Sequence, residues 1–151
     1  MKTRVFFERI KAVESEERVA ALAVGRFMEA VRHDPLALSN HSLRERDVRD
    51  CLQHLEGTYV IRLFAEFEIA LRCIWQHVRR RATLQRMPIS QLMDAVAARC
   101  YVPADAARAA HDVRDYRNDL VHEGPPRKVL TIAESRANLC NFLSHAPHDW
   151  Q

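Results

Sequence analysis

The stretch from 42 to 82 constrains this chain more than any other, because it carries two adjacent apolar stripes at helical spacing. The first stripe consists of Leu52, Leu55, Tyr59, Leu63, Phe67, Ala70, Ile74 and Val78, and the second of Val60, Phe64, Leu71 and Trp75. A helix that is apolar on more than one face packs against several neighbours. We therefore predict a long central helix here, in which Gly57 marks a kink or a close helix crossing.

Capping residues and prolines divide the rest of the chain into shorter predicted helices, over about 2–33, 90–100, 101–124 and 131–143. Ser42 with Glu45, and Thr131 with Glu134, have the spacing of capping boxes. Gly124 suits the position after a helix end, and the two prolines that follow forbid continuation. No segment alternates with the period of a strand, so the sequence predicts an all-α, up-and-down bundle of four to five helices.

Composition places the chain among globular proteins of one domain. Of its 151 residues 48% are hydrophobic and 28% charged, so we treat 1–151 as a single domain with a loose tail at its last few residues. No apolar run approaches the roughly 20 residues that span a membrane, and the charged start is unlike a secretory signal. We therefore expect a cytoplasmic protein with no membrane partner.

Metal and cofactor sites are not predicted. The four cysteines form no CxxC pair, and we expect reduced thiols packed in the core. His145 and His148 have an HxxH spacing, but Pro147 interrupts it and no further ligand is evident. We find no Gly-rich phosphate loop and no hydrolase motif.

One arginine stands where the fourth predicted helix should bury an apolar side chain. The apolar stripe of that helix consists of Ala106, Ala110, Val113, Leu120 and Val121. Arg117 follows Val113 by four residues and so lies on the stripe. Because burial of an unpaired charge is costly, its guanidinium must reach a partner or a groove. We predict Glu66 and Glu68 as the acids that support it.

His122 lies five residues after Arg117, about 140° further around a helix axis. The two would not share a face of a straight helix, but near a helix end the backbone can turn and the ring can swing back. The helix C-terminus also favours a protonated ring. A fixed cation beside a proton carrier suits phosphodiester cleavage. The alternative is structural: Arg117 forms a salt bridge, and His122 only faces the helix dipole.

The segment RNDLVH, with Asn118 directly after the arginine, resembles the R-x4-6-H motif near the end of a late helix in the HEPN superfamily. The segment LEGTYVIRLFAEFEIALRCIW is similar to the long central helix of some prokaryotic members, so the resemblance covers about 42–145. It implies a metal-independent ribonuclease in which the ribose 2′-hydroxyl attacks the adjacent phosphate and leaves a 2′,3′-cyclic phosphate. By position, His122 would be the general acid or base, Arg117 would bind the phosphate, and Asn118 would support the motif.

The resemblance also implies partners. HEPN proteins often form homodimers in which two motifs meet, and many are toxins or phage-defence components with an antitoxin or other partner protein. Other members bind RNA or protein without catalysis, and we keep this as the alternative function beside a purely structural subunit. Some toxins carry a modified tyrosine two residues after the histidine, where this chain has Gly124, so the resemblance does not extend to that form of regulation.

A run of arginines without acids is the candidate RNA-binding surface. It lies between Ile69 and Met93, and we predict that RNA is bound by Arg72, Arg79, Arg80 and Arg81. Cations are also favoured at helix C-termini, so a solvated helix end explains the same residues without a ligand.

Overall fold

A computed structural model describes residues 3–39, 41–79, 87–122 and 125–147. The helices in these ranges are α1 (Thr3–His33), α2 (Leu36–Ser39), α3 (Glu45–Arg79), α4 (Ile89–Cys100), α5 (Ala104–Val121) and α6 (Ile132–Ser144). The described residues contain no strand, which confirms the predicted all-α bundle. Their helices number six rather than four to five, because the short α2 follows Pro35 where the sequence predicts only a break.

Helix α3 is the centre of the bundle, as its two apolar stripes predict. It contacts α1, α4, α5 and α6. Its buried residues from the middle onward are Val60, Leu63, Phe64, Phe67, Ala70, Leu71 and Ile74. The ring of Phe67 meets Phe142 of α6 edge-on, with centroids 5.4 Å apart, and lies 5.7 Å from Phe64. These aromatic contacts join α6 to the central helix.

The start of α3 differs from the predicted capping box. Ser42 has φ 55°, a left-handed conformation, whereas an N-cap residue is normally extended. Arg44 directly precedes the helix, and its backbone N–H donates to Asp47 Oδ2 at 2.8 Å. The Ser42–Glu45 box is therefore wrong, because the chain needs two more residues to leave α2.

The predicted helix end at 82 and the predicted stop at Gly124 lie outside the described residues.

The capping box of α6 is confirmed. The Thr131 hydroxyl accepts the Glu134 N–H at 3.2 Å, and Glu134 Oε2 accepts the Thr131 N–H at 2.8 Å. Hydrogen bonds from the Thr131 backbone and then from its side chain lower the pKa of Glu134. Because the folded pKa is lowered, this contribution to stability is present above the usual glutamate pKa. It is lost as the pH falls through the lowered value.

We expect the Thr131→Ala variant to unfold with a free energy about 1 kcal/mol lower than that of the wild type, because a backbone N–H of the first turn of α6 loses its acceptor. The Thr131→Ser variant keeps the hydroxyl and is the matched control. Urea unfolding followed by circular dichroism measures both. An alanine variant as stable as the serine variant would contradict a stabilising box.

Helices α1 and α3 extend beyond the bundle. They have 31 and 35 residues, against 13 in α6. The first half of α1 buries Phe6, Ile10 and Val13 in the bundle. After Val13, α1 has a single further buried residue, Val31. In α3 the first half likewise buries Val48 and nothing more before Val60. We call this protruding hairpin, residues 17–33 and 45–52, the arm.

Part of the predicted core lies on the arm and is not buried in the main core. Val31, Leu38 and Val48 form a small cluster of their own, separate from the main core. Leu52, at the start of the first predicted stripe, is 41% exposed. The apolar periodicity predicted the helix correctly, but it could not indicate that Leu52 stays exposed among the described residues.

The cysteines are free thiols, and one is not in the core. Cys51 is exposed on the arm, which corrects the expected packing. Cys73, Cys100 and Cys140 are half-buried, and burial raises the pKa of the Cys100 and Cys140 thiols. Within the described ranges, no helix has both the length and the apolar character needed to cross a bilayer.

Candidate functional site

Helix α5 carries the motif and packs against α3, α4 and α6. Ala106, Ala110 and Val113 are buried, as predicted. Further along, the buried position is Tyr116, whereas Val121 is 47% exposed, so the predicted continuation to Val121 is wrong. Burial, and to a lesser extent the Glu56 carboxylate, raises the pKa of Tyr116, so its phenol stays neutral near pH 7.

Arg117 is half-buried between α5 and α3, as its place on the apolar stripe predicts. Its Cζ lies 5.8 Å from the centroid of the Phe64 ring. Its Nη1 donates to Asn118 Oδ1 at 2.9 Å, and its buried Nε has no hydrogen-bond partner among the described residues. The positive charge of Arg117 is therefore stabilised by the Phe64 ring and by the neutral amide of Asn118. Part of the guanidinium, including Nε, remains available as a hydrogen-bond donor.

The predicted supporting acids lie elsewhere. Glu66 is paired with Arg9 of α1 at 2.7 Å, because two residues along a helix from Phe64 is about 200° around its axis. Glu68 accepts from Nε of Arg72, one turn along the same helix, at 3.0 Å. In the described part of the chain, no carboxylate forms an ion pair with Arg117.

His122 caps the C-terminus of α5, and its ring is exposed. Its backbone N–H donates to the Asn118 carbonyl at 3.0 Å, whereas its φ of −95° and ψ of 10° lie outside the helical region, so the helix ends at this residue. Among the described residues, the ring makes no hydrogen bond or ion pair. Asn118 thus contacts both ends of the motif: its side-chain amide oxygen accepts from Arg117, and its backbone carbonyl accepts from His122. No hydrogen bond joins the guanidinium to the ring, and the angle of about 140° between the two positions is retained.

The face of α5 that carries His122 is polar. His111, Arg114 and Asn118 precede it at helical spacing. Arg114 Nη1 lies 2.9 Å from His111 Nδ1, and His111 Nε2 lies 2.8 Å from Asp94 Oδ1. An arginine can only donate, so Nδ1 must accept and Nε2 carries the proton that is donated to Asp94. Both nitrogens of His111 are occupied, and this ring joins α4 to α5 instead of serving as a free proton carrier.

Arg114 is the residue of this face that sequence reasoning missed. It is half-buried, and its Nε donates to Asp115 at 3.0 Å. The signal was present in the sequence, because Arg114 lies three residues before Arg117 and four before Asn118, the spacing of side chains that meet on a helix. The apolar-stripe argument selected Arg117 alone, since only Arg117 stood in an unexpected place.

The predicted RNA-binding arginines can be placed only in part. Arg72 is described, and its charge is shared with Glu68. Arg79 is the last residue of α3, whereas Arg80 and Arg81 lie outside the described residues. His148 of the HxxH pair lies outside them as well. The described part of the chain has no group of three or more histidine, cysteine, aspartate or glutamate side chains that could hold a metal.

A cavity of about 310 Å³ lies beside the last turns of α5 and is lined in part by His54, Tyr116 and Leu120. A Cβ added to Gly57 would lie 3.1 Å from Leu120 Cδ2, so this glycine marks a close helix crossing. Tyr116 and Leu120 lie four residues apart on the side of α5 that faces α3. The cavity is therefore on the other side of the helix from His111, Asn118 and His122.

No family model matches the chain, and searches of curated proteins and of solved structures find no significant match.

Proposed function

We propose that this protein is a metal-independent endoribonuclease of the HEPN type, in which Arg117 and His122 act on one RNA phosphate. The observation that supports this most is the state of Arg117. Its guanidinium is half-buried with no carboxylate partner among the described residues, five residues before an exposed histidine at a helix end. A structural arginine would be expected to neutralise an acid.

The reaction needs two groups. The ribose 2′-hydroxyl oxygen bonds to phosphorus and gives up its proton, and the bond from phosphorus to the 5′-oxygen breaks as that oxygen gains a proton. His122 is assigned one of these proton transfers. Arg117 is assigned the charge that develops on the phosphoryl oxygens, through its planar donors. Asn118 positions the guanidinium through its bond to Nη1.

The alternative is an RNA- or protein-binding module without catalysis. The observation in its favour is that no hydrogen bond joins the Arg117 guanidinium to the His122 ring, and that the two positions lie about 140° apart around the axis of α5. Such a module would hold a phosphate at Arg117 and leave His122 without a role in chemistry. A role as a toxin or defence component, with an antitoxin-like partner, follows from the resemblance and stays a prediction.

A cleavage assay with end-labelled RNA and the purified chain in excess chelator tests the proposal. We expect cleavage to persist without divalent metal and the products to end in 2′,3′-cyclic phosphate. Absence of cleavage over a panel of structured and single-stranded RNAs would overturn the catalytic proposal. RNA binding that weakens with salt but never leads to cleavage would favour the binding module instead.

A further inference from the structure

The cavity between α3 and the last turns of α5 has an apolar part and a polar part. Its apolar lining is Ile61 of α3, Leu120 of α5 and Val129, which precedes α6. Glu56 and Tyr116 are among its polar lining. Sites for small molecules combine an apolar lining with a few placed polar groups in this way, and a volume of about 310 Å³ suits a small ligand.

Tyr116 contributes a buried hydroxyl that the fold leaves without a partner. The side chain is 8% exposed, and within the described ranges its hydroxyl makes no hydrogen bond. A buried tyrosine normally finds a partner for this group, because a desolvated hydroxyl without one costs free energy. The packing alone therefore gives no reason for a tyrosine instead of a phenylalanine at this position.

Glu56 holds a negative charge at the same cavity. Its Oε1 accepts the backbone N–H of Ile132 at 2.8 Å, which fixes the carboxylate near the start of α6. None of the described lysines, arginines or histidines forms an ion pair with it. Burial first, and the Glu56 carboxylate second, raise the pKa of both Tyr116 and Glu17. The charge of Glu56 thus acts on its surroundings without being neutralised by a described cation.

We propose that this cavity binds a small organic amine in its protonated form. The ammonium group donates to the Glu56 carboxylate and to the Tyr116 oxygen, which gives the buried hydroxyl its missing partner. The apolar body of the ligand lies against Ile61, Leu120 and Val129. A phosphate ester is disfavoured here, because its charge would face the carboxylate.

A nucleobase is the main rival occupant, since the cavity adjoins the proposed RNA site. Leu120 lies three residues after Arg117 on α5, and Ile61 lies three residues before Phe64 on α3, so one helical turn separates the two places. The amino group of cytosine is also a donor, but it carries no charge. A comparison of charged and neutral ligands therefore separates the two occupants.

Nuclear magnetic resonance titration of the wild type tests the proposal, at about pH 8, where an alkylammonium is charged and an ordinary histidine is neutral. The probes are 2-phenylethylamine, the neutral 2-phenylethanol of nearly the same shape, and cytidine. We expect the amine to bind saturably, with a dissociation constant of about 1 mM or lower, and to shift the amides of Gly57 and Val129. The alcohol and cytidine should bind about 10-fold more weakly or worse, because neither offers a cation to Glu56.

Two variants assign the contacts. Tyr116→Phe removes the hydroxyl alone and should weaken amine binding about 3–10-fold, while urea unfolding shows a stability no lower than that of the wild type. Glu56→Gln keeps an amide oxygen for the Ile132 N–H but removes the charge, and should weaken binding about 10-fold or more. Tyr101→Phe is the matched control, because Tyr101 is 87% exposed beyond the start of α5, and it should leave the affinity unchanged.

Failure of the amine to saturate overturns the proposal, and so does equal affinity for the amine and the alcohol, or tighter binding of cytidine. Shifts confined to the arm, away from Gly57 and Val129, overturn it as well. The titration of the wild type needs no variant, so a variant that misfolds cannot hide the result. This inference does not rest on the proposed ribonuclease activity: amine binding and RNA cleavage are measured separately, and either can fail alone.

Discussion

Replacement of His122 by alanine is expected to lower RNA cleavage about 10²–10⁴-fold, the range that one proton-transfer group contributes. The ring is exposed and makes no hydrogen bond or ion pair with the described residues, so its loss should leave the fold intact. Its backbone N–H still bonds to the Asn118 carbonyl in the variant. Single-turnover rates of cleavage, measured beside thermal melting curves, test both parts of the expectation.

His111→Ala is the matched control for this variant. His111 lies on the same face of α5, but Asp94 and Arg114 occupy its two ring nitrogens. We expect this variant to lose about 1 kcal/mol of stability, from the broken link between α4 and α5, and to cleave RNA within a few-fold of the wild type. If the His122 variant cleaves as fast as the wild type, His122 is not the acid or base. A large loss for His111→Ala alone would move that role to the other histidine.

The Arg117→Lys variant should cleave RNA about 10²-fold more slowly, although the charge is kept, because lysine lacks the planar set of donors. Arg108→Lys is the control, since Arg108 is an exposed arginine earlier on α5. Rates of cleavage and the affinity for uncleaved RNA should be measured together. A slower rate with unchanged affinity would assign Arg117 to the transition state, and an equal loss of both would indicate plain phosphate binding.

The stability of the Arg117→Ala variant separates a site residue from a structural clamp. The contact with the Phe64 ring stabilises the fold by about 0.5–2 kcal/mol, whereas the buried Nε without a partner costs about 1–3 kcal/mol. These contributions oppose each other, so we expect an unfolding free energy within about 1 kcal/mol of the wild type. Urea unfolding measures it. If both the alanine and the lysine variants unfold, Arg117 is a structural clamp and the binding module becomes the better proposal.

Local signals in the sequence predicted most of the helices. The spacing of apolar residues located α1, α4 and the starts of α3 and α5 to within a few residues, and Thr131 with Glu134 located the start of α6. Such features depend on neighbours three or four residues away, which the sequence shows directly. The capping box at Ser42 was wrong because the same residue types also suit a turn, and the chain leaving α2 holds Ser42 in a left-handed conformation.

In the candidate site, too, some features could be predicted from the sequence and others could not. Helical periodicity alone places Arg117 on the apolar side of a late helix, with Asn118 beside it and His122 at the helix end. These positions follow from helical periodicity and from the prolines that stop the helix. The same information left the partners of Arg117 open, because any acid on a neighbouring helix satisfied the pattern.

The partners of Arg117 depend on the tertiary fold, because the packing of the helices fixes how α3 is rotated about its axis. That rotation turns Phe64 toward Arg117 and Glu66 toward Arg9 of α1. The tertiary structure also leaves Leu52 exposed, although the same apolar stripe is buried from Leu63 to Ile74. Periodicity shows which face of a helix is apolar. Whether another helix covers that face depends on where the neighbouring helices end, and here α1 and α3 extend beyond the others.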